Sequence, residues 1–429
     1  MVIDTTQSEK WNAYLKALRG PFTKRAKLEF LYPDGSVMFT VDNNKNNPLS
    51  KAFIQEGSIT VNFNNGQRRT ANVKLANVDG KFSFEVNKIW FGTMIRLSEG
   101  LVLPNGEEFY LPQGVFYLKD PTENVLPNEN TVTWDLYDKW SYLDGTLFGT
   151  LDGIYEIPMG VNIFSAIASI LKLDRGNGMA LDPVVPQFTD YYNGKTQTLE
   201  DGSLGYLTDT PYTYRAESSG LTYADILLEM NKMIAGCIGY DSVGRLCVEP
   251  SQDDVDDREK PVLYEFTSAN SQFLGLTYTV LNGDVYNDVI IEGQSLSDYG
   301  VVGGRAINTD PKSDTNIYIL GRKIIRESQN GYYSKDVCES LARFRLKRYT
   351  TLQKNVSIEC GQMFHIQENQ LITIQRPDKP GNPVERHLIS GFERDLAQNG
   401  KMTINATSVN DYPDVTTETW PLEAEEDED

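Results

Sequence analysis

Two histidines and four cysteines are all this chain of 429 residues holds of the side chains that do most nucleophilic and metal chemistry. Cys237, Cys247, Cys338 and Cys360 form no CxxC pair and share no Cys/His spacing of the zinc type. Reduced, buried thiols are the expectation. No G-x-S-x-G elbow accompanies His365 or His387, and no protease signature surrounds a cysteine. His387 lies in an apolar strand and reads as a packed residue; His365 has no local carboxylate partner. The acidic run Asp253–Asp257 lacks the glycine and distal glutamate of a calcium loop. Val302-Gly303-Gly304-Arg305 lacks the Lys-Ser/Thr of a phosphate loop and reads as a plain loop. No catalytic residue, metal ligand or cofactor is assigned.

Long hydrophobic runs are also missing. None approaches the ~18 residues of a membrane-spanning helix. The polar start Met1–Lys10 is not a signal peptide, so a soluble protein made in the cytoplasm is expected. Positive charge is scarce: 40 basic against 60 acidic residues give a net charge of −20. A general nucleic-acid binder would be basic, so that role is disfavoured.

What the chain does have is alternation. Ala71, Val73 and Leu75 alternate with Asn72, Lys74 and Ala76, the period of a strand with one buried face. Phe82, Phe84 and Val86 repeat the pattern, Ile89-Trp90-Phe91-Gly92 leads into Ile95 and Leu97, and Leu111–Leu118 follows. Turns fall at Pro33-Asp34-Gly35, Asn64-Asn65-Gly66 and Asn105-Gly106. Nothing in this stretch looks like an active site.

Composition divides the rest. Residues 8–19 form an amphipathic helix with Trp11, Tyr14, Leu15 and Leu18 on one face, ended by Gly20-Pro21. After a β region comes an apolar helix over Ile163–Leu173, then a long Gly/Pro/Asn/Tyr-rich segment, Asp174–Tyr214, read as an extended arm or loops. A second helix over 222–234 with Thr222 as N-cap runs into a hairpin around Asp241–Gly244. Strands return at Gly275–Leu281, Val289–Gly293, Thr315–Leu320, Asn355–Cys360, Gln370–Gln375, His387–Glu393 and Lys401–Thr407. One helix, about 334–349 with Ser334 as its cap, interrupts them. The fold class is β-rich α+β: an N-terminal helix or arm (1–22), a β domain (23–145), an α+β insert with a long loop (146–270), a second β domain with one helix (271–411) and a disordered acidic tail (412–429).

Candidate interface residues are Trp11 and Leu15, because so short a helix needs a surface to pack on. Arg343, Arg345, Lys347 and Arg348 join them as a basic face that acidic loops of a neighbour would match.

Three places carry a family resemblance. They are Arg69–Asn77 continuing to Gly92–Arg96 and Pro112–Phe116; Leu221–Leu228 followed by Gly236–Val248; and Val285–Gly293 with Ser334–Tyr349 and Gln370–Gln375. In these the chain resembles the phage baseplate hub family, which includes the late control D proteins and the N-terminal domain of tail-associated proteins. The resemblance implies two tube-type β-barrel domains per subunit and a homotrimer whose ring of six barrels joins a six-fold tail tube or distal tail protein to a three-fold spike or tail tip. It further implies contact with the tape-measure protein, transient passage of DNA without specific binding, and residence in the virion tail. The chain departs from the family in its long Asp174–Tyr214 segment and in having no spike, lysozyme or peptidase domain. Two other classes stay open: a cell-wall hydrolase using a carboxylate, His365 or His387, and a carbohydrate- or receptor-binding module using Tyr191, Tyr192 and Tyr206–Tyr214 as a stacking platform.

Overall fold

The structure, a computed structural model, describes residues 9–48, 50–78, 80–83, 92–127, 129–217, 220–250, 260–267, 273–280, 285–294, 301–328, 335–350, 354–376, 378–409 and 415–418. Phe84, Val86, Ile89–Phe91, the Asp253–Asp257 run, Ser334, the Arg348 side chain and residues 419–429 lie outside them.

Helix α1 (Glu9–Ala17) precedes seven strands: β1 (Lys24–Leu31), β2 (Val37–Asp42), β3 (Ser50–Asn62), β4 (Arg69–Ala76), β5 (Met94–Val102), β6 (Glu108–Leu126) and β7 (Glu129–Asp138). They pair in the order β3-β2-β1-β5-β6-β7-β4, and β4 pairs back onto β3, so the seven close into a ring. Closure removes the free edges that a sheet of this size would otherwise expose. Alternation drives it: Ala71, Val73 and Leu75 face the interior beside Trp134 and Phe30, as the period-two pattern requires. Pro121 sits where β6 slips register against β7, because proline has no N–H to give the ladder.

The insert begins with a 3-10 turn at Lys139–Tyr142. It holds β8 (Tyr155–Ile157), α2 (Ile163–Leu171), β9 (Gln187–Phe188), β10 (Thr196–Thr198), β11 (Leu204–Tyr206), β12 (Tyr214–Ala216), α3 (Tyr223–Met233), β13 (Gly236–Tyr240) and β14 (Leu246–Pro250). Asn162 caps α2; Thr222 and Asp225 form a reciprocal capping box on α3. Asp174–Tyr214 is not an extended arm. Leu181, Tyr192 and Tyr212 are buried with α2 and α3 in the insert's own core, which explains how so irregular a segment stays folded.

Beyond the insert come β15 (Val262–Phe266), β16 (Phe273–Val280), β17 (Asp288–Gln294), β18 (Val301–Asn308), α4 (Ile317–Leu320), β19 (Ile324–Ser328), α5 (Lys335–Thr350), β20 (Lys354–Cys360), β21 (Leu371–Gln375), β22 (Val384–Asp395), β23 (Met402–Ser408) and β24 (Val415–Glu418). Two expectations fail here. Thr315–Leu320 is not a strand, because the Asn316 side chain caps the backbone of Tyr318 and Ile319 and winds the segment into α4. Val302–Arg305 is not a loop but the middle of β18. A Cβ on Gly304 would lie 2.2 Å from the Glu339 nitrogen, so this glycine serves close helix-on-strand packing.

The second β region divides in two. β16, β20, β23, β22, β21 and β15 run on from the first ring as one sheet, through antiparallel pairing of Gly391–Asp395 with Ser58–Asn62 of β3. This works because β3 is 13 residues long: Ser50–Phe53 meets β2, and the far end of the strand is left for β22. The other four strands, in the order β19-β17-β18-β24, make a separate sheet covered by α5. Part of the acidic tail is therefore a strand, since β24 pairs with Arg305–Asn308.

Candidate assembly site

Charged side chains gather where the ring, the insert and the second sheet meet, and almost all of them are buried. Lys24 shares its strand face with Ala26, Leu28 and Phe30, so the alternation that buries those residues carries an ammonium inward too. Its Nζ lies 2.8 Å from Glu99 of β5, and both side chains are fully enclosed. Arg394 of β22 donates to Glu99 (Nε, 2.8 Å), to the Met363 carbonyl (2.7 Å) and to Gln113 Oε1 (2.6 Å). Gln113 in turn donates to the Phe364 carbonyl at 2.9 Å. Burial by itself would raise the Glu99 carboxyl; Arg394 and Lys24 overcome it and hold the group below the usual carboxylate range.

Arg68 and Arg69 make the second half. Asp138 accepts from both of their backbone N–H groups (2.9 and 2.8 Å) and from that of Trp140 at 3.0 Å. Burial still pushes its carboxyl up to about 6 against those three donors. The Arg69 guanidinium donates to Gln113 O (3.0 Å), Gln367 (3.0 Å) and Glu368 (2.7 Å), tying β4 to the segment before β21. Arg68 turns the other way, toward Glu249 (3.3 Å) and the Cys237 sulfur (3.4 Å) in the insert. A Cβ on Gly239 would sit 2.2 Å from Arg68 Nε, so only glycine lets β13 come this close. Gly66 N donates to Ile238 O (2.9 Å), and Ile238 N donates to Asn65 Oδ1 (2.9 Å). The Asn64-Asn65-Gly66 stretch, expected as a turn, does join antiparallel β3 and β4 and is also a docking edge for the insert. Lys139 closes the junction on Asp182 (2.5 Å) and the Gly244 carbonyl (2.9 Å). Together these contacts fix three regions against one another.

The expected interface residues fall on separate elements. Trp11 stacks on Tyr14 (5.2 Å) and meets the edge of His365 (5.5 Å), and Leu15 packs on the main core. The surface that α1 needs is thus within its own chain. Arg343 of α5 is exposed, Arg345 lies 3.7 Å from Glu327, and Lys347 is half-buried. Sequence reading missed the junction residues: the burial alternation that carries Lys24 inward shows only once the strand is seen to begin at that residue.

Both histidines and all four cysteines are buried. The Tyr14 hydroxyl accepts from Phe364 N (3.0 Å) and shares a hydrogen bond with His365 Nδ1 (2.9 Å). Burial, reinforced by Arg394, lowers His365 to about 3. His387 is enclosed, with Glu385 at 3.5 Å. Burial pushes the thiols of Cys247, Cys338 and Cys360 up to about 12, far from a reactive thiolate. Among the described residues no group of three His, Cys, Asp or Glu could hold a metal. No described helix is long and apolar enough to cross a membrane. Of the tyrosines proposed as a platform, Tyr192 and Tyr212 are buried, while Tyr191 lines an open groove of about 440 Å³ with Phe188, Pro250, Lys260 and Asn369.

No family model and no curated protein matches the sequence. Solved structures do. A tail protein from Neisseria meningitidis superposes with a TM-score of 0.56 at 9% identity, over 90% of this chain and 97% of the other. The 43 kDa tail protein of prophage MuSo2 from Shewanella oneidensis gives 0.54 at 10% identity, over 90% and 98%. The prophage tail protein gp18 from Listeria monocytogenes gives 0.50 at 8%, over 90% and 94%. The fold is that of phage tail proteins. At these identities the likeness lies in the path of the backbone, and the side chains that hold the tail-protein fold together here must be read from this chain itself. Lys24, Glu99 and Arg394 are the clearest of them, because they join β1, β5 and β22 across the seam between the two β regions.

Proposed function

We propose that this chain is a structural hub of a phage tail or baseplate. Three copies form a ring in which each contributes two β regions, so that six similar units face a six-fold tail tube while the three-fold ring faces a spike or tail tip. The carrying observation is the ladder between β3 and β22, which sets a closed seven-stranded ring and a second, mixed set of strands in one fixed relation within a single chain. The buried charges at the same seam support the reading, since a rigid relation is what a symmetry adaptor needs. Tape-measure protein and DNA pass through the ring. With a net charge of −20, carboxylates facing that passage repel phosphates. Light scattering on the purified chain is the test. A mass of about three times 48.3 kDa with a central hole in electron micrographs is expected. A strict monomer, alone and with tail-tube protein added, would overturn the hub.

A further inference from the structure

The segment that winds into α4 is built to present apolar side chains rather than hide them. Tyr318, Ile319 and Leu320 are 77, 61 and 48% exposed, and Ile324 just beyond is 52% exposed. The knob is nonetheless held firmly. Asn316 Oδ1 accepts from Tyr318 N and Ile319 N, each at 2.9 Å. Buried Asn287 donates to Thr315 O (3.1 Å) and Gly321 O (2.8 Å) and accepts from Lys323 N (2.7 Å), so one side chain clamps both ends. Arg322 Nε donates to enclosed Asp288 at 2.9 Å. An exposed aromatic and two aliphatics on a fixed base lose little freedom on docking, which is how interface hot spots gain their strength.

Charge says what the knob meets. Between residues 285 and 350 basic residues outnumber acidic ones ten to eight, in a chain that carries −20 overall. Lys312 and Lys323 are exposed around the knob, as are Asp314 and Arg326, the last paired with Glu292. A second exposed apolar cluster lies at one end of the ring of strands, with the opposite sign. Val78, Val125 and Leu126 are 90, 71 and 57% exposed there. Asn77 N donates to Asn130 O at 2.8 Å, which brings Val78 beside the β6–β7 tip. Glu129 at the tip and Glu56 on β3 stand exposed on this side, with Lys74 shared between them.

We propose that the Tyr318–Leu320 knob of one copy seats on the Val78/Val125/Leu126 cluster of the next, a head-to-tail contact that closes the ring. Two different patches of opposite charge on one chain suit such a contact, since like patches would repel across a two-fold. The inference rests on the trimeric reading but names its own residues. The test is the mass of the full-length chain across a concentration series. The variants are Tyr318→Ser with Ile319→Ser, Val125→Ser with Leu126→Ser, Lys323→Glu, Glu129→Lys, and the last two combined. Each of the first four should shift assembly to at least about tenfold higher concentration at an unchanged thermal midpoint, and the combined charge swap should restore it. Wild-type rings that survive both apolar variants, or a swap that fails to restore them, would overturn this contact and leave the hub standing. A wild type that never assembles would overturn both.

Discussion

Glu99 shows how far a single buried charge can matter in a fold otherwise made of alternating strands. Glu99→Gln leaves Lys24 and Arg394 enclosed without their counter-charge, and breaking a buried pair in this way typically costs about 3–5 kcal/mol. A urea midpoint lowered to match, with the slope unchanged, is the expected result; a shift within error would mean that water reaches the site. His365 gives the pH dependence. Its native form refuses a proton until about pH 3, whereas the unfolded chain takes one near pH 6.5. Stability from this group is therefore complete above about 6.5 and falls with acid, by about 1.4 kcal/mol per unit. In His365→Gln the stability gap to wild type should narrow between pH 7 and 4. Of these residues the sequence singled out His365 alone. Lys24 and Arg394 fall just outside the strands expected from alternation, and their shared partner lies 295 positions from Arg394, beyond any local pattern.

Among the elements, those with a cap and a stripe were readable. Helix α3 begins where Thr222 said it would, because the hydroxyl satisfies the Asp225 N–H and Asp225 returns the favour. Thr222→Ala should cost about 1 kcal/mol, seen as a lower thermal midpoint of the insert. Elements whose conformation is set by tertiary contact were not readable. Ile317–Leu320 has the β-branched, aromatic look of a strand, yet a single Asn cap and the clamp on Asn287 override it. Gly303 and Gly304 looked like loop punctuation, yet both lie within β18, and Gly304 is where α5 presses on it. Gly304→Val should push the helix off its sheet, so amide exchange in 335–350 should quicken while the ring of strands keeps its protection. Equal exchange in both proteins would show that α5 is held elsewhere.

For the molecule as a whole, the sequence suggested two β domains separated by an insert, and the strands were mostly where alternation put them. What it could not reveal was the join, because pairing between Asn62 and Gly391 depends on which edge is left open once the ring has closed. A Cβ on Gly391 would meet the Val61 carbonyl at 2.5 Å. Gly391→Val is therefore expected to part the two β regions without touching either interior, splitting one calorimetric transition into two. A single transition at the wild-type temperature would mean the seam contributes little. The same join has a consequence in time. Strand β3 leaves the ribosome roughly 330 residues before its partner β22, and at about 5–20 residues per second that is a wait of some 15–65 seconds. For that interval a finished barrel carries one raw strand edge in a crowded cell. Whatever shields it, whether a chaperone or slow growth, sets how much of the chain survives its own synthesis.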